Sequence, residues 1–197
     1  MKNLILVILL ICISQFISCT STDTGEESSI ERSSSKPGWI LTPVTKDDSY
    51  IYVSGEMTSA RDRSFGMNQA YADALRKLLN MMENDVKTQS SMTLRGANMD
   101  EGDVARFSEF AVAWISQTYT IANIENPEIY WEKTKVKTDE GIRYYYDCHS
   151  RIRISKKGFR AIIEGAFTHM KKKARDENNQ KAEETANKLI DELKNGK

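Results

Sequence analysis

Thiol and imidazole chemistry is scarce in this chain of 197 residues, which has three cysteines and two histidines. The densest arrangement is Asp147, His149 and Arg151, spaced two apart. On a strand that spacing puts all three on one face, where neighbouring side chains pair and Asp147 could orient the His149 imidazole as a general base. No activated nucleophile or oxyanion device accompanies the row. The expectation is therefore a solvated line of mixed charges, with a hydrolase working through Asp147 and His149 as the alternative. Cys148 and His149 resemble a metal pair, but adjacent strand residues point to opposite faces and cannot readily grip one ion. Cys148 reads as a small buried hydrophobe. His169 has no carboxylate or second histidine three or four residues away and reads as a boundary residue. Glu125, Glu128 and Glu132 have no answering acidic cluster. Phosphate-binding loops, nucleophile elbows and paired zinc-binding histidines are all missing from the sequence, so no cofactor, metal or catalytic residue is assigned.

The densest positive group is Arg151, Arg153, Lys156 and Lys157, with Arg160 close by. It could meet lipid head groups, peptidoglycan acids or a protein partner, or be ordinary solvation of a strand and a helix. Overall charge is balanced, with 28 basic and 28 acidic residues. That balance lacks the basic footprint nucleic-acid binding requires. Trp39, Tyr50, Tyr52, Trp131 and Tyr144 to Tyr146 lie on or beside the expected strands. Most are read as core and cross-strand pairs, and an open groove lined by some of them would make a binding surface.

Cys19 is different in kind. It closes the run MKNLILVILLICISQFISC, with Lys2 as a charged start and Leu4 to Ile13 as an apolar core, the layout of a secretion signal. The run falls short of the roughly 20 apolar residues a spanning helix needs. Ile17-Ser18-Cys19 resembles a bacterial lipobox, in which cleavage makes the cysteine residue one and fatty acyl chains such as palmitate are attached to it. Loss of Cys12 with the signal and acylation of Cys19 leave Cys148 without a disulfide partner. Acyl chains hold a protein to a membrane at about 0.8 kcal/mol per buried methylene. Thr20 is not aspartate, which under enterobacterial sorting is an address for the outer membrane.

These groups must be positioned by the rest of the chain. Residues 1–18 are read as the signal. Residues 19–35, small and polar, are read as a flexible tether holding the domain clear of the bilayer. Residues 36–170 are the expected domain, and residues 171–197 a charged helical extension. Tyr50 to Gly55 predicts a strand. With Ser59 as cap, Met67, Ala70, Tyr71, Ala74, Leu75, Leu78, Leu79 and Met82 predict one stripe of a long helix to Glu83. Lys87 to Asn98 reads as a weak strand or loop. Val104, Phe107, Ala111, Trp114 and Ile115 predict a second helix, capped by Asp100 or Asp103. Glu128 to Thr138 and Gly141 to Ser155 alternate around a turn and predict a hairpin. One face of its second arm (Tyr144, Tyr146, Cys148, Ile152, Ile154) is covered, and the other, carrying His149, is wet. Phe159, Ile162, Ile163, Ala166, Phe167 and Met170 predict a C-terminal helix. The later stripe Ala182, Ala186, Leu189, Ile190 and Leu193 either packs on its own domain or docks a partner, with self-association through residues 182–193 as one outcome. The fold class that follows is α+β: an antiparallel sheet packed on a long helix, with a C-terminal helical extension.

Lys36-Pro37-Gly38-Trp39-Ile40, Tyr50 to Gly55, the helical segment Asn68-Gln69-Ala70-Tyr71-Ala72-Asp73-Ala74-Leu75-Arg76 and the hairpin from Tyr130-Trp131 to Ile154 together resemble the small membrane-associated lipoprotein family known from Helicobacter. They are similar also to the N-terminal domain of a flagellar assembly lipoprotein-like factor. The resemblance covers most of residues 36–170. It implies an α/β domain tethered to an envelope membrane and carries over no catalytic residues. The expectation is a lipid-anchored envelope protein, not an enzyme, that binds or scaffolds an envelope protein or peptidoglycan. Its alternative is a hydrolase of envelope polymers.

Overall fold

The longest element begins where Asp62 accepts the Phe65 amide hydrogen at 2.7 Å, an N-cap that satisfies one of the orphan donors of a first turn. The computed structural model describes residues 25–118 and 124–195, so the signal segment and Cys19 lie outside the described residues. Strands β1 (Glu27–Arg32), β2 (Val44–Lys46) and β3 (Tyr50–Ala60) precede helices α1 (Arg63–Gly96) and α2 (Glu101–Thr118). Strands β4 (Ile124–Thr138) and β5 (Gly141–Ser155) follow, then α3 (Lys156–Asp176) and α4 (Gln180–Lys194). The sheet is antiparallel, in the order β1-β4-β5-β3-β2. This is the expected α+β arrangement.

Helix α1 buries Gly66, Ala70, Ala74, Leu78, Met82, Val86, Ser90 and Leu94, one residue in every four. Each four-residue step overshoots a helical turn by about 40°, so the buried stripe winds around the helix. Its first part faces β3 and β5, and its later part faces α2, α3 and α4. The helix meets the sheet backbone to backbone. A Cβ at Gly55 would stand 2.2 Å from the Ala70 carbonyl oxygen and 2.3 Å from the Ala74 nitrogen, so only glycine fits. Beyond its short pairing with β2, the open side of β3 is closed by the same helix. Asp73 Oδ2 accepts the Glu56 amide hydrogen (3.2 Å), and Lys77 Nζ donates to the Ser54 carbonyl (3.3 Å).

Several expectations are corrected. Helix α1 is capped by Asp62 rather than Ser59, which instead has φ 56°. It continues through Lys87 to Gly96, read from sequence as strand or loop. The polar residues there sit at a helix–helix seam, where buried Ser90 donates to the Val86 carbonyl (2.7 Å) and pairs with buried Ser108 of α2 (3.0 Å). Helix α2 starts as expected at Asp100, which accepts the Asp103 amide hydrogen (3.0 Å). Glu27–Arg32, read from sequence as part of a flexible tether, is an ordered edge strand paired with β4. All six of its residues are exposed. What holds it is backbone pairing to an open sheet edge, which composition does not report. For the C-terminal extension the structure takes the first of the two outcomes read from sequence, packing on its own domain. Ala174, Ala182, Ala186, Leu189 and Ile190 belong to the same core as Leu78 and Phe167, so the stripe within residues 182–193 is closed internally and is not a free face for a second copy.

Gly55→Ala should destabilise the chain by about 3 kcal/mol, since a methyl group there meets backbone that cannot yield without moving the helix. Gly38→Ala, with nothing within 4 Å, should leave the urea midpoint nearly unchanged. Equal midpoints for the two variants would refute the close approach.

Candidate functional site

The chain leaves β1 at one edge of the sheet and enters β2 at the other, and residues 33–43 cross on the face that carries His149, where Ile40 and Pro43 line a cavity with it. The crossing is fixed at both ends. Ser33 and Trp131 exchange hydrogen bonds (Ser33 N–H to Trp131 O 3.0 Å, Trp131 N–H to Ser33 Oγ 3.1 Å), and the Ser54 amide donates to the Pro43 carbonyl (2.8 Å). This strap changes the sequence reading of a wet face. His149 is 8 % exposed, and Tyr130, opposite it on β4, is fully buried. Their rings lie 6.0 Å apart, and the Tyr130 hydroxyl donates to Glu132 (3.1 Å). Glu132 itself is held below the usual carboxylate range, first by the Ser29 hydroxyl of β1 and then by Tyr130, with Lys36 and Arg32 assisting against the cost of burial.

Beside His149 is a cavity of about 100 Å³ lined by Ile40, Pro43, Ser54, Gly55, Glu56 and Lys77. At about 30 Å³ per water it has room for a few waters and not for a sugar ring or a peptide. Burial pushes the His149 pKa below its ordinary value, against the opposing pull of Glu56, Asp147 and Glu132, while Lys36 reinforces the lowering. The imidazole is therefore neutral near pH 7. Asp147 shares the face, but its Oδ1 accepts the Ser59 amide hydrogen at 2.9 Å and fastens the end of β3. Lys77 is ion-paired with Asp73 at 2.7 Å. Burial pushes the Asp73 carboxyl up, and the hydrogen bonds from Lys77, Arg76 and the Glu56 amide more than offset it, leaving the pKa below the usual range.

The expected interaction surface resolves into two parts. Arg151 lies over the Tyr52 ring at 4.2 Å, donates to Thr45 at 2.8 Å and reaches Glu128 at 3.4 Å. Arg153 lies over Tyr50 at 4.6 Å and pairs with Glu125 at 3.2 Å. Both guanidiniums thus bind strands β2 to β5 together across the sheet and are engaged internally. Lys156 is half-buried and Lys157 exposed at the start of α3. Glu125 and Glu128, which seemed to lack a role, are the partners of these arginines. Cys148 is fully buried beneath Gly66 of α1. Burial, with Asp147 adding, pushes its thiol up to about 11. His169 stacks on Phe110 at 4.7 Å, the boundary position expected of it.

A surface that the sequence reading missed lies at the hairpin end. Strands β4 and β5 run on past the point where β3 and α1 cover them, since β3 pairing stops at Ala60 opposite Tyr146. There Lys133, Lys135 and Lys137 are opposite Tyr146, Tyr144 and Ile142, so all six share one face. The Lys133 ammonium lies 5.2 Å from the Tyr144 ring and 5.7 Å from the Tyr146 ring. Ile142 and Tyr144 are about half exposed. The alternation Lys-Thr-Lys-Val-Lys was the available signal.

No group of three or more acidic, histidine or cysteine side chains that could hold a metal occurs among the described residues. No family model, curated protein or solved structure matches the chain.

Two outcomes follow from the buried groups. Because the folded pKa of His149 lies below the unfolded value of 6.5, the unfolded chain takes up a proton first as pH falls. Stability to urea should be full above about pH 7 and decline as pH drops through 6.5 towards the folded pKa. His149→Gln should flatten that slope, and an unchanged slope would contradict the buried imidazole. Cys148 should resist a disulfide reagent at pH 8 until urea unfolds the chain, as a protonated, enclosed thiol must.

Proposed function

We propose that this protein is a lipid-anchored component of a bacterial cell envelope, held by acyl chains on Cys19 and acting as a non-enzymatic binding or scaffolding module of the Helicobacter-type lipoprotein family, with the outer membrane as its location. The observation that carries this reading is the run from Lys2 to Cys19, a charged start, a short apolar core and a small residue before a cysteine. No helix among the described residues is long and apolar enough to cross a membrane, which is compatible with attachment through a lipid. The titratable groups that looked most chemical serve the fold: Asp147 fastens β3, Arg151 and Arg153 tie the sheet, and Cys148 lies under α1.

The hydrolase reading keeps one supporting observation, a neutral imidazole beside a cavity. Its geometry is poor for polymer cleavage, because the cavity holds only a few waters and the Asp147 oxygen is engaged by Ser59. His149→Gln would abolish any hydrolysis of envelope polymers by the purified protein if that reading holds.

Wild-type protein should fractionate with membranes and resist a high-salt wash, and its purified form should carry acyl mass at Cys19. Cys19→Ala should move to the soluble fraction. A Cys19→Ala chain that stays with washed membranes would defeat the anchor.

A further inference from the structure

We infer that the Lys133, Lys135, Lys137, Ile142, Tyr144 and Tyr146 face of the hairpin end rests on the anionic surface of the bilayer that holds Cys19; this rests on the anchor proposed above.

The first argument is where the chain leaves the fold. The Gly25 amide donates to the Lys137 carbonyl at 3.0 Å, and the Lys137 amide donates to the Glu26 carbonyl at 3.4 Å. Strand β1 therefore starts at the hairpin tip and runs away from it. Only residues 20–24 separate Cys19 from Gly25. At about 3.3–3.6 Å per residue, fully extended, that chain reaches roughly 20 Å. An acylated Cys19 thus keeps the tip near the headgroups whatever the orientation of the rest. The other end of α1 is free to lie roughly 50 Å away along its 34 residues.

The second argument is the chemistry of the face so placed. Three lysines alternate along one strand, opposite two tyrosines and an isoleucine on the next. Arg63 lies over Trp131 at 4.9 Å on the same face. Arg61, Arg143, Tyr144 and Tyr145 line an open hollow of about 390 Å³ beside it. Amphipathic rings interleaved with cations suit the boundary of a bilayer, where the ring enters the headgroup layer and the ammonium meets lipid phosphate. The nearby acids do not cancel this. Glu140 is paired with Arg143, Asp139 lies in the turn, and Glu27, opposite Val136, falls on the reverse face. Glu31, opposite Lys133, and Glu26, whose carbonyl accepts the Lys137 amide hydrogen, are the carboxylates beside the lysines, and Lys133, Lys135 and Lys137 with neighbouring Arg61 and Arg63 outnumber them. A basic residue near an anionic surface changes occupancy by about fivefold, so the excess of basic over acidic groups on this face orients a domain already tethered there.

The test uses full-length acylated protein reconstituted in vesicles of phosphatidylcholine alone or with about one third phosphatidylglycerol. A polarity-sensitive fluorophore is placed at Asp139→Cys in the turn, or at Met92→Cys on the exposed far part of α1, Cys148 being enclosed. Mass spectrometry of the same sample reads the acyl groups. The expected result is a blue-shifted, lipid-quenchable label at residue 139 in the anionic vesicles only, and a watery label at 92 in both. Lys135→Glu with Lys137→Glu should return the residue 139 label to water, and so should about 0.5 M salt on the unsubstituted face, which screens the contact without changing the fold. An acylated protein whose residue 139 label stays watery in both vesicles, as it would if the face met an acidic polymer or protein instead, overturns this inference and leaves the anchor standing. A bare Cys19 overturns both.

Discussion

The close approach of α1 to β3 at Gly55 organises the molecule. With no Cβ there, the helix backbone at Ala70 and Ala74 lies directly on the strand. That contact sets the height at which Ile51, Val53, Cys148, Ile152 and Ile154 are buried. It also brings Asp73 and Lys77 to the open edge of β3, where they satisfy the backbone groups of Glu56 and Ser54. Gly66 repeats the arrangement one contact earlier, against Cys148 and Ala60. Small residues at these points allow a long helix to lie flat on a sheet.

Beyond Leu78 the same helix changes partners. Its buried stripe winds, so α2, α3 and α4 collect around its second half instead of the sheet continuing under it. Gly165 admits the Trp114 ring, and Ser90 with Ser108 closes the polar seam. A β-end and a helical end therefore grow from one rod. The hairpin tip and strand β1 belong to the β-end.

The face of the sheet away from α1 follows a different logic. It is built from pairs: arginine on tyrosine, arginine with glutamate, tyrosine with aspartate. The strap of residues 33–43 covers its middle and encloses His149 and Tyr130. Buried polar groups there are mostly matched, with Arg153 Nε among the few atoms left without a partner. Such a network fixes register and strand order more than it supplies chemistry.

Local pattern was enough for the turn at Thr138–Gly141 and the second arm of the hairpin, while the first arm starts at Ile124, four residues before the alternation begins; it was enough also for the early stripe of α1, because period and burial coincide there. It was enough also to place Cys148 inside. What local pattern could not decide was anything set by a distant partner. Lys87 to Gly96 is helical because α2 receives Ser90. Glu27 to Arg32 is a strand because β4 has an open edge, and His149 is dry because a strap from the opposite edge crosses it. Arg151 and Arg153 are engaged because Tyr52, Tyr50, Glu128 and Glu125 sit on neighbouring strands. Sequence by itself determined which residues alternate and which recur at helical spacing, since those depend on neighbours a few positions away. Which face is covered, which charge is free and where the chain leaves the domain depend on segments about 20 to 110 residues apart, brought together by strand pairing and packing, and only the tertiary structure decided them.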